Sequence, residues 1–105
     1  MNPTPPNPAL FDSSGFLLDP SMWNVTLADR IAQTDGLGEL NELQIGLLHT
    51  LRDEFAKYGC VTALSHVCHL IGQGADCMQH LFPNPRIAWR VAGLPDPGEE
   101  AKAYL

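Results

Sequence analysis

Five potential metal ligands or nucleophiles, His66, Cys68, His69, Cys77 and His80, fall within fifteen residues of this chain. A structural zinc site needs four nitrogen or sulfur donors converging as a tetrahedron, and Cys77-x-x-His80 has a ligand-like spacing. Helical register works against convergence: Cys68 belongs with the apolar residues of its segment, whereas His66 and His69 share another face. There is no paired Cys-x-x-Cys knuckle either. The reading is of cysteines used as small hydrophobes and histidines on polar surfaces, with no metal and no cofactor.

Thiol chemistry needs an exposed, electropositive setting that favours the thiolate. The chain has twelve acidic residues against six basic ones and a formal net charge of -6, which opposes a strongly depressed thiol pKa. Cys60, directly after Gly59, is expected to be the most exposed of the three cysteines. The neighbours Asp53-Glu54 and Glu99-Glu100 read as solvated pairs, not as an acid and a base. Gly36-Leu37-Gly38 and Gly72-Gln73-Gly74 follow helices instead of joining a strand to a helix, so neither is a phosphate loop. The residues alone mark no enzyme active site.

The same charge balance disfavours nucleic acid, since a phosphate backbone must be neutralised by clustered Lys and Arg. Arg30, Arg52, Lys57, Arg86, Arg90 and Lys102 are scattered. The length of 105 residues allows one small domain. An odd cysteine count without paired spacing argues against a disulfide scaffold and for a reducing cytoplasm. The amino terminus has neither a basic n-region nor a long apolar run, so no membrane association is expected.

Proline placement sets the element boundaries, because none occurs between Pro20 and Pro83. Residues 1 to 8, rich in Pro and Asn, are expected to be disordered. Ala9-Leu10-Phe11 and Phe16-Leu17-Leu18 flank Asp12-Ser13-Ser14-Gly15 and predict a small hairpin. Asp19 then Pro20 predicts an N-cap and first helical residue, with Trp23, Leu27 and Ile31 on a buried face as far as Gly36. Asn41 to Tyr58 is the strongest helix. Asn41 and Gln44 form a capping box, Leu40 and Ile45 a staple, and Leu48, Leu51, Phe55 and Tyr58 the inward stripe before Gly59. A third helix over Thr62 to Ile71 carries Leu64, Val67, Cys68 and Ile71. A fourth carries Cys77, Met78, Leu81 and Phe82 up to Pro83. A fifth starts at Asn84-Pro85 with Ile87, Ala88 and Val91 inward and Trp89 off that face, where it anchors the tail or a partner or packs on the surface of this same domain. The fold class is mainly α: an orthogonal bundle of about five helices over 9 to 93, an amino-terminal β-hairpin, and a flexible arm over 94 to 105.

Gly15-Phe16-Leu17 ahead of Trp23-Asn24, then Leu40, Leu51-Arg52-x-x-Phe55, Leu81-Phe82-Pro83 and Ala92-Gly93-Leu94-Pro95-x-Pro97 resemble, in that order, the DsrC/TusE family. That family includes the gamma subunit of dissimilatory sulfite reductase and the TusE sulfur-relay protein. The likeness covers about residues 10 to 100, and the Ala-Gly-Leu-Pro-x-Pro arm is its most specific part. It implies a small cytoplasmic helical protein that carries sulfur on a cysteine near the end of a flexible arm. Implied partners are sulfite reductase, sulfur-relay complexes and the tRNA-thiolation enzyme.

The family arm has lysine where this chain has Asp96 and the penultimate cysteine where it has Glu100. Trp89 stands at the second arm cysteine, Gln44-Ile45 at a His-Trp pair, and Ser65 and His69 at basic positions. A carboxylate forms no persulfide and a tryptophan closes no disulfide. The resemblance thus implies a partner-binding accessory or regulatory protein of sulfur metabolism or tRNA thiolation, binding through Gly93, Leu94, Pro95, Asp96, Pro97 and Glu100. One rival is a working sulfur carrier with its thiol relocated to Cys60, Cys68 or Cys77. Another is a helix-turn-helix DNA-binding regulator built on the second and third helices.

Overall fold

The computed structural model describes residues 8–13, 15–59, 64–74 and 76–98. Five α-helices follow one another in this part: α1 (Val25–Thr34), α2 (Glu42–Tyr58), α3 (Leu64–Leu70), α4 (Cys77–Leu81) and α5 (Pro85–Val91). α2 is the longest and packs against both α3 and α5, while α1 covers α5 and α4 lies on α3. The mainly helical class expected from the sequence is what the structure has.

Each long helix begins where a side chain replaces a missing carbonyl partner. Asn41 accepts from Gln44 N at 2.8 Å, and Gln44 Oε1 accepts from Asn41 N at 2.9 Å, completing the capping box. Gly59 closes α2 at φ +67°, a left-handed conformation that glycine adopts without steric cost.

The start of α1 differs from expectation. Asp19 does cap a turn, accepting from Ser21 N at 3.0 Å, but Pro20–Met22 is only a 3₁₀ turn. α1 begins afresh at Val25 because Asn24 is a second cap, accepting from Leu27 N at 2.8 Å. The break leaves Trp23 extended and frees its indole to reach another helix.

The expected hairpin is reduced to one antiparallel bridge between Phe11 and Leu17, with no strand among the described residues. Asp12 N donates to Phe16 O at 2.8 Å and Leu18 N to Leu10 O at 2.9 Å. Pro8–Leu10 curls into a 3₁₀ turn and so leaves too little extended chain for a ladder. Phe16 and Leu17 are nevertheless fully buried and plug the core from this side.

On α2 the inward stripe is Leu47, Leu48, Leu51 and Glu54, with Phe55 half-buried. Tyr58 was expected inward and is 66% exposed. The apolar stripe of α2 ends at Phe55, and the whole last turn, from Ala56 to Gly59, is exposed.

Cys68 and Cys77 are joined by a disulfide with 5.7 Å between their Cα atoms. This corrects the expectation from cysteine count. The turn through Gly72, at φ +77°, folds α4 back on α3 and brings the two Cα atoms within bridging range, which spacing alone does not reveal. No helix among the described residues is long and apolar enough to cross a membrane.

Candidate functional site

The segment after α5 is held by side chains from α2 and α5 and by Trp23, in the extended break before α1. Asn84 caps α5, accepting from Ile87 N at 2.9 Å, with Pro85 in the first turn. Ala88, Trp89, Val91 and Ala92 are all buried, because this short helix lies between α1 and α2 and has two inward faces. Trp89 is therefore core, contrary to its expected position off the core face. Its ring meets Phe55 edge-on at 5.5 Å between centroids.

α5 ends in a paired motif: Gly93 N donates to Arg90 O at 3.0 Å and Leu94 N to Trp89 O at 3.4 Å. Gly93 holds φ +68°, and a Cβ there would lie 2.7 Å from Trp23 Cγ and 2.9 Å from Trp23 Cβ. Glycine is required twice over, by the conformation and by the indole.

The carbonyls exposed at this helix end are taken up from outside. Trp23 Nε1 donates to Val91 O at 2.8 Å. Arg52 donates to Ala92 O at 2.9 Å and Gly93 O at 3.4 Å, while its other terminal nitrogen donates to Pro20 O at 2.9 Å. The guanidinium also lies 4.5 Å from the Trp23 ring centroid, so one cation is shared between a π face and a helix C-terminus, both of which attract positive charge. Burial pulls the Arg52 pKa down, with Asp53 opposing. The guanidinium keeps its charge because an arginine starts so high.

Leu94 is buried, and Trp89 Nε1 donates to Pro95 O at 2.8 Å. Leu94 and Pro95, at the start of the expected arm, are thus held against the domain by the leucine pocket and the indole N–H. Beyond them Asp96 is exposed and accepts from Gly98 N at 2.8 Å, and Pro97 is half-buried. Glu100 lies outside the described residues. On the opposite side Arg90 donates to Gly15 O at 3.1 Å and pairs with Asp35 at 2.9 Å, tying α5 to the amino-terminal loop and the end of α1.

The other sequence candidates do not assemble. Cys68 and Cys77 are buried and bonded to each other, so neither is a free thiol or a metal donor in this state. Cys60 lies outside the described residues. His66 and His69 are exposed, and His80 sits 3.6 Å from Asp76 on the surface of α4. No group of three His, Cys, Asp or Glu among the described residues is placed to hold a metal. Gln44 does more than cap: its Nε2 donates to Leu81 O at 2.7 Å and fixes the end of α4. Sequence reasoning missed Arg52 as the anchor of the arm and Trp23 as a donor. The available signal was a polar-headed side chain next to an apolar stripe in each case.

The model of the family described as DsrC like protein matches residues 7–99. This chain belongs to the DsrC-like family. A matching solved structure is the oxidized gamma-subunit of the dissimilatory sulfite reductase (DsrC) from Archaeoglobus fulgidus, at 31% identity and a TM-score of 0.69. The match covers 84% of this chain and 88% of that one. Comparison with curated proteins returns no match. The DsrC-like residues noted in the sequence are structural in large part: Phe16, Leu17, Leu51, Phe82 and Leu94 are buried, and Trp23, Arg52 and Gly93 make the anchor of the arm. That solved relative is the gamma-subunit of a dissimilatory sulfite reductase.

Proposed function

We propose that this chain is a DsrC-like accessory or regulatory protein that binds a sulfur-relay, sulfite reductase-like or tRNA-thiolation partner through its carboxy-terminal arm, without carrying sulfur on that arm. The observation that carries the reading is Trp89, buried and donating to Pro95 O at 2.8 Å. Where the resemblance implies a second arm cysteine, the chain has a side chain that holds the base of the arm in place. A pre-fixed base lowers the ordering cost of presenting the residues beyond it, which favours binding. Asp96 and Glu100 give that end negative charge where the family places lysine and cysteine. No thiol remains there to accept sulfur.

The test compares the full chain with a truncation after Pro95, which keeps the buried Leu94, for binding to sulfite reductase and sulfur-relay proteins of the same organism. The expected result is at least about a tenfold loss of affinity, the order of one lost anchor residue. Unchanged affinity overturns the role of the arm. In parallel, a persulfide donor followed by mass spectrometry decides the rival sulfur-carrier reading. A gain of about 32 Da on Cys60, Cys68 or Cys77 favours the carrier, and no gain on any cysteine removes it.

A further inference from the structure

We infer that Cys68 and Cys77 form a reversible dithiol–disulfide site, reduced by a dithiol donor, whose redox state sets the order of the surface from Leu70 to Leu81. The inference rests on the α3–α4 pair and not on the arm.

The bridge joins residues nine apart in sequence, so it constrains one local segment and leaves the long-range fold untouched. Both helices it joins are short, seven residues in α3 and five in α4, far below the length at which a helix persists without packing. The far end of α4 has its own attachments, with Gln44 Nε2 on Leu81 O and Phe82 buried in the core. Among the described residues the near end has the bridge and the local backbone bonds from Cys77 N to Gly74 O and from Gln79 N to Asp76 O, none of which reaches α2 or α5. The rest of the bundle is held by contacts that do not involve α4: α1 on α5, α2 on α5, and the Arg52, Trp23 and Arg90 bonds. Cleaving the bridge therefore frees 70–81 about a hinge at Leu81-Phe82 and leaves the core intact.

The two sulfurs are not equivalent. Cys68 is fully buried at mid-helix, whereas Cys77 is the first residue of α4, next to exposed Asp76 and the exposed turn at Gly72, Gln73 and Gly74. Opening of that turn uncovers Cys77 Sγ first. A thiolate of the donor attacks it, forming a mixed disulfide. The Cys68–Cys77 bond breaks, and its electron pair leaves on Cys68 Sγ, which takes up a proton. The second thiol of the donor then attacks its own sulfur of the mixed disulfide, and Cys77 departs as a thiolate and is protonated. The chain gains two electrons and two protons, and the donor becomes a disulfide. Reduction loosens a surface bearing Leu70, Asp76 and His80, of which Leu70 is already 47% exposed.

The experiment uses the full chain with Cys60→Ser, so that no third thiol can exchange, equilibrated in dithiothreitol buffers of graded redox ratio. Alkylation and mass spectrometry count the thiols, and hydrogen exchange reads each segment. The expected result is a reversible two-electron transition in which amides of residues 70–81 exchange at least about tenfold faster when reduced, while α1, α2 and α5 keep their protection. Cys68→Ala with Cys77→Ala reproduces the reduced pattern at any ratio. Three results overturn the inference: loss of protection throughout the chain on reduction, which makes the bridge a global staple; identical exchange in both states; or a bridge that the dithiol does not open under native conditions.

Discussion

The Arg52 guanidinium stacks over the Trp23 ring at 4.5 Å while donating to the carbonyls of Pro20, Ala92 and Gly93. A planar group with five fixed donors serves all these partners at once, which an ammonium cannot do. Arg52→Lys is expected to destabilise the protein by about 2–3 kcal/mol, the sum of hydrogen bonds to a charged donor and the lost cation–π contact. Urea unfolding measures it. A change below about 0.5 kcal/mol would show that these contacts are replaced by water at no cost.

Trp89→Phe isolates the latch from the packing. The ring still fills its place beside Phe55, but Pro95 O loses its donor. Stability is expected to fall by about 1–2 kcal/mol, with hydrogen exchange rising at 94–98 and little changed in α1. Trp89→Ala is expected to cost about 3–5 kcal/mol, since it also opens a cavity in the core. Equal effects of the two variants on the exchange of 94–98, at unequal cost in stability, identify the indole N–H as the latch.

Gly93 tests the same junction from the backbone. Its φ of +68° and the Trp23 indole packed against it leave no room for a methyl group. Gly93→Ala is expected to cost about 2 kcal/mol or more, combining conformational strain with displacement of a ring whose Nε1 holds Val91 O. Thermal unfolding checks it. Gly36→Ala is the control: φ is +82° there, yet nothing lies near the added Cβ, so the strain appears without the collision.

The helices were legible where a local signal and the tertiary demand coincide. Asn41 with Gln44, Asn84 with Pro85, and Gly59 are decided within one turn of chain, and each appears where its spacing placed it. Trp89 was not legible. Its burial depends on α5 being covered from two sides, and no periodicity within seven residues reveals a second cover. Tyr58 failed for the reverse reason, since it continues the spacing of Leu48, Leu51 and Phe55 into a last turn that is wholly exposed. The Cys68–Cys77 pair needed the Gly72 turn to be known first. The resemblance marked where the arm leaves the bundle, whereas Arg52 and Trp23 as anchors of its base were not legible, because their partners are backbone carbonyls. Any residue supplies a carbonyl, so the sequence carries no mark of which one is used.

Asp19 gives a pH prediction. Its carboxylate accepts from the Ser21 hydroxyl at 2.7 Å and from Ser21 N at 3.0 Å, and these bonds hold its pKa below the ordinary 3.8. A depressed folded value means that the stabilisation is present above the unfolded value and is lost as pH falls through the lower folded one. Asp19→Asn is therefore expected to flatten the acid limb of stability below about pH 4 and to leave its shape at neutral pH unchanged. Urea midpoints of the two proteins across pH 2.5 to 7, a range of about 4.5 units around that value, decide it. Parallel acid limbs would mean that Ser21 bonds to Asp19 equally in the unfolded chain.

Glu54 is the one place on the inward face of α2 where burial and chemistry conflict. It is 6% exposed, aligned with Leu47 and Leu51, and its Oε2 has no hydrogen-bond partner among the described residues. Withdrawing a carboxylate oxygen from water without replacing its hydrogen bonds costs about 1–3 kcal/mol, and more when the group is charged. Glu54→Leu removes that cost and adds apolar contact at similar volume, so a gain of about 1–3 kcal/mol is expected. Glu54→Gln removes the charge but keeps a buried polar head, and is expected to fall between the two. Urea unfolding of the three proteins orders them. If Glu54→Leu is instead the least stable, the carboxylate is bonded in solution, and the α2 face holds a polar contact that its packing does not reveal.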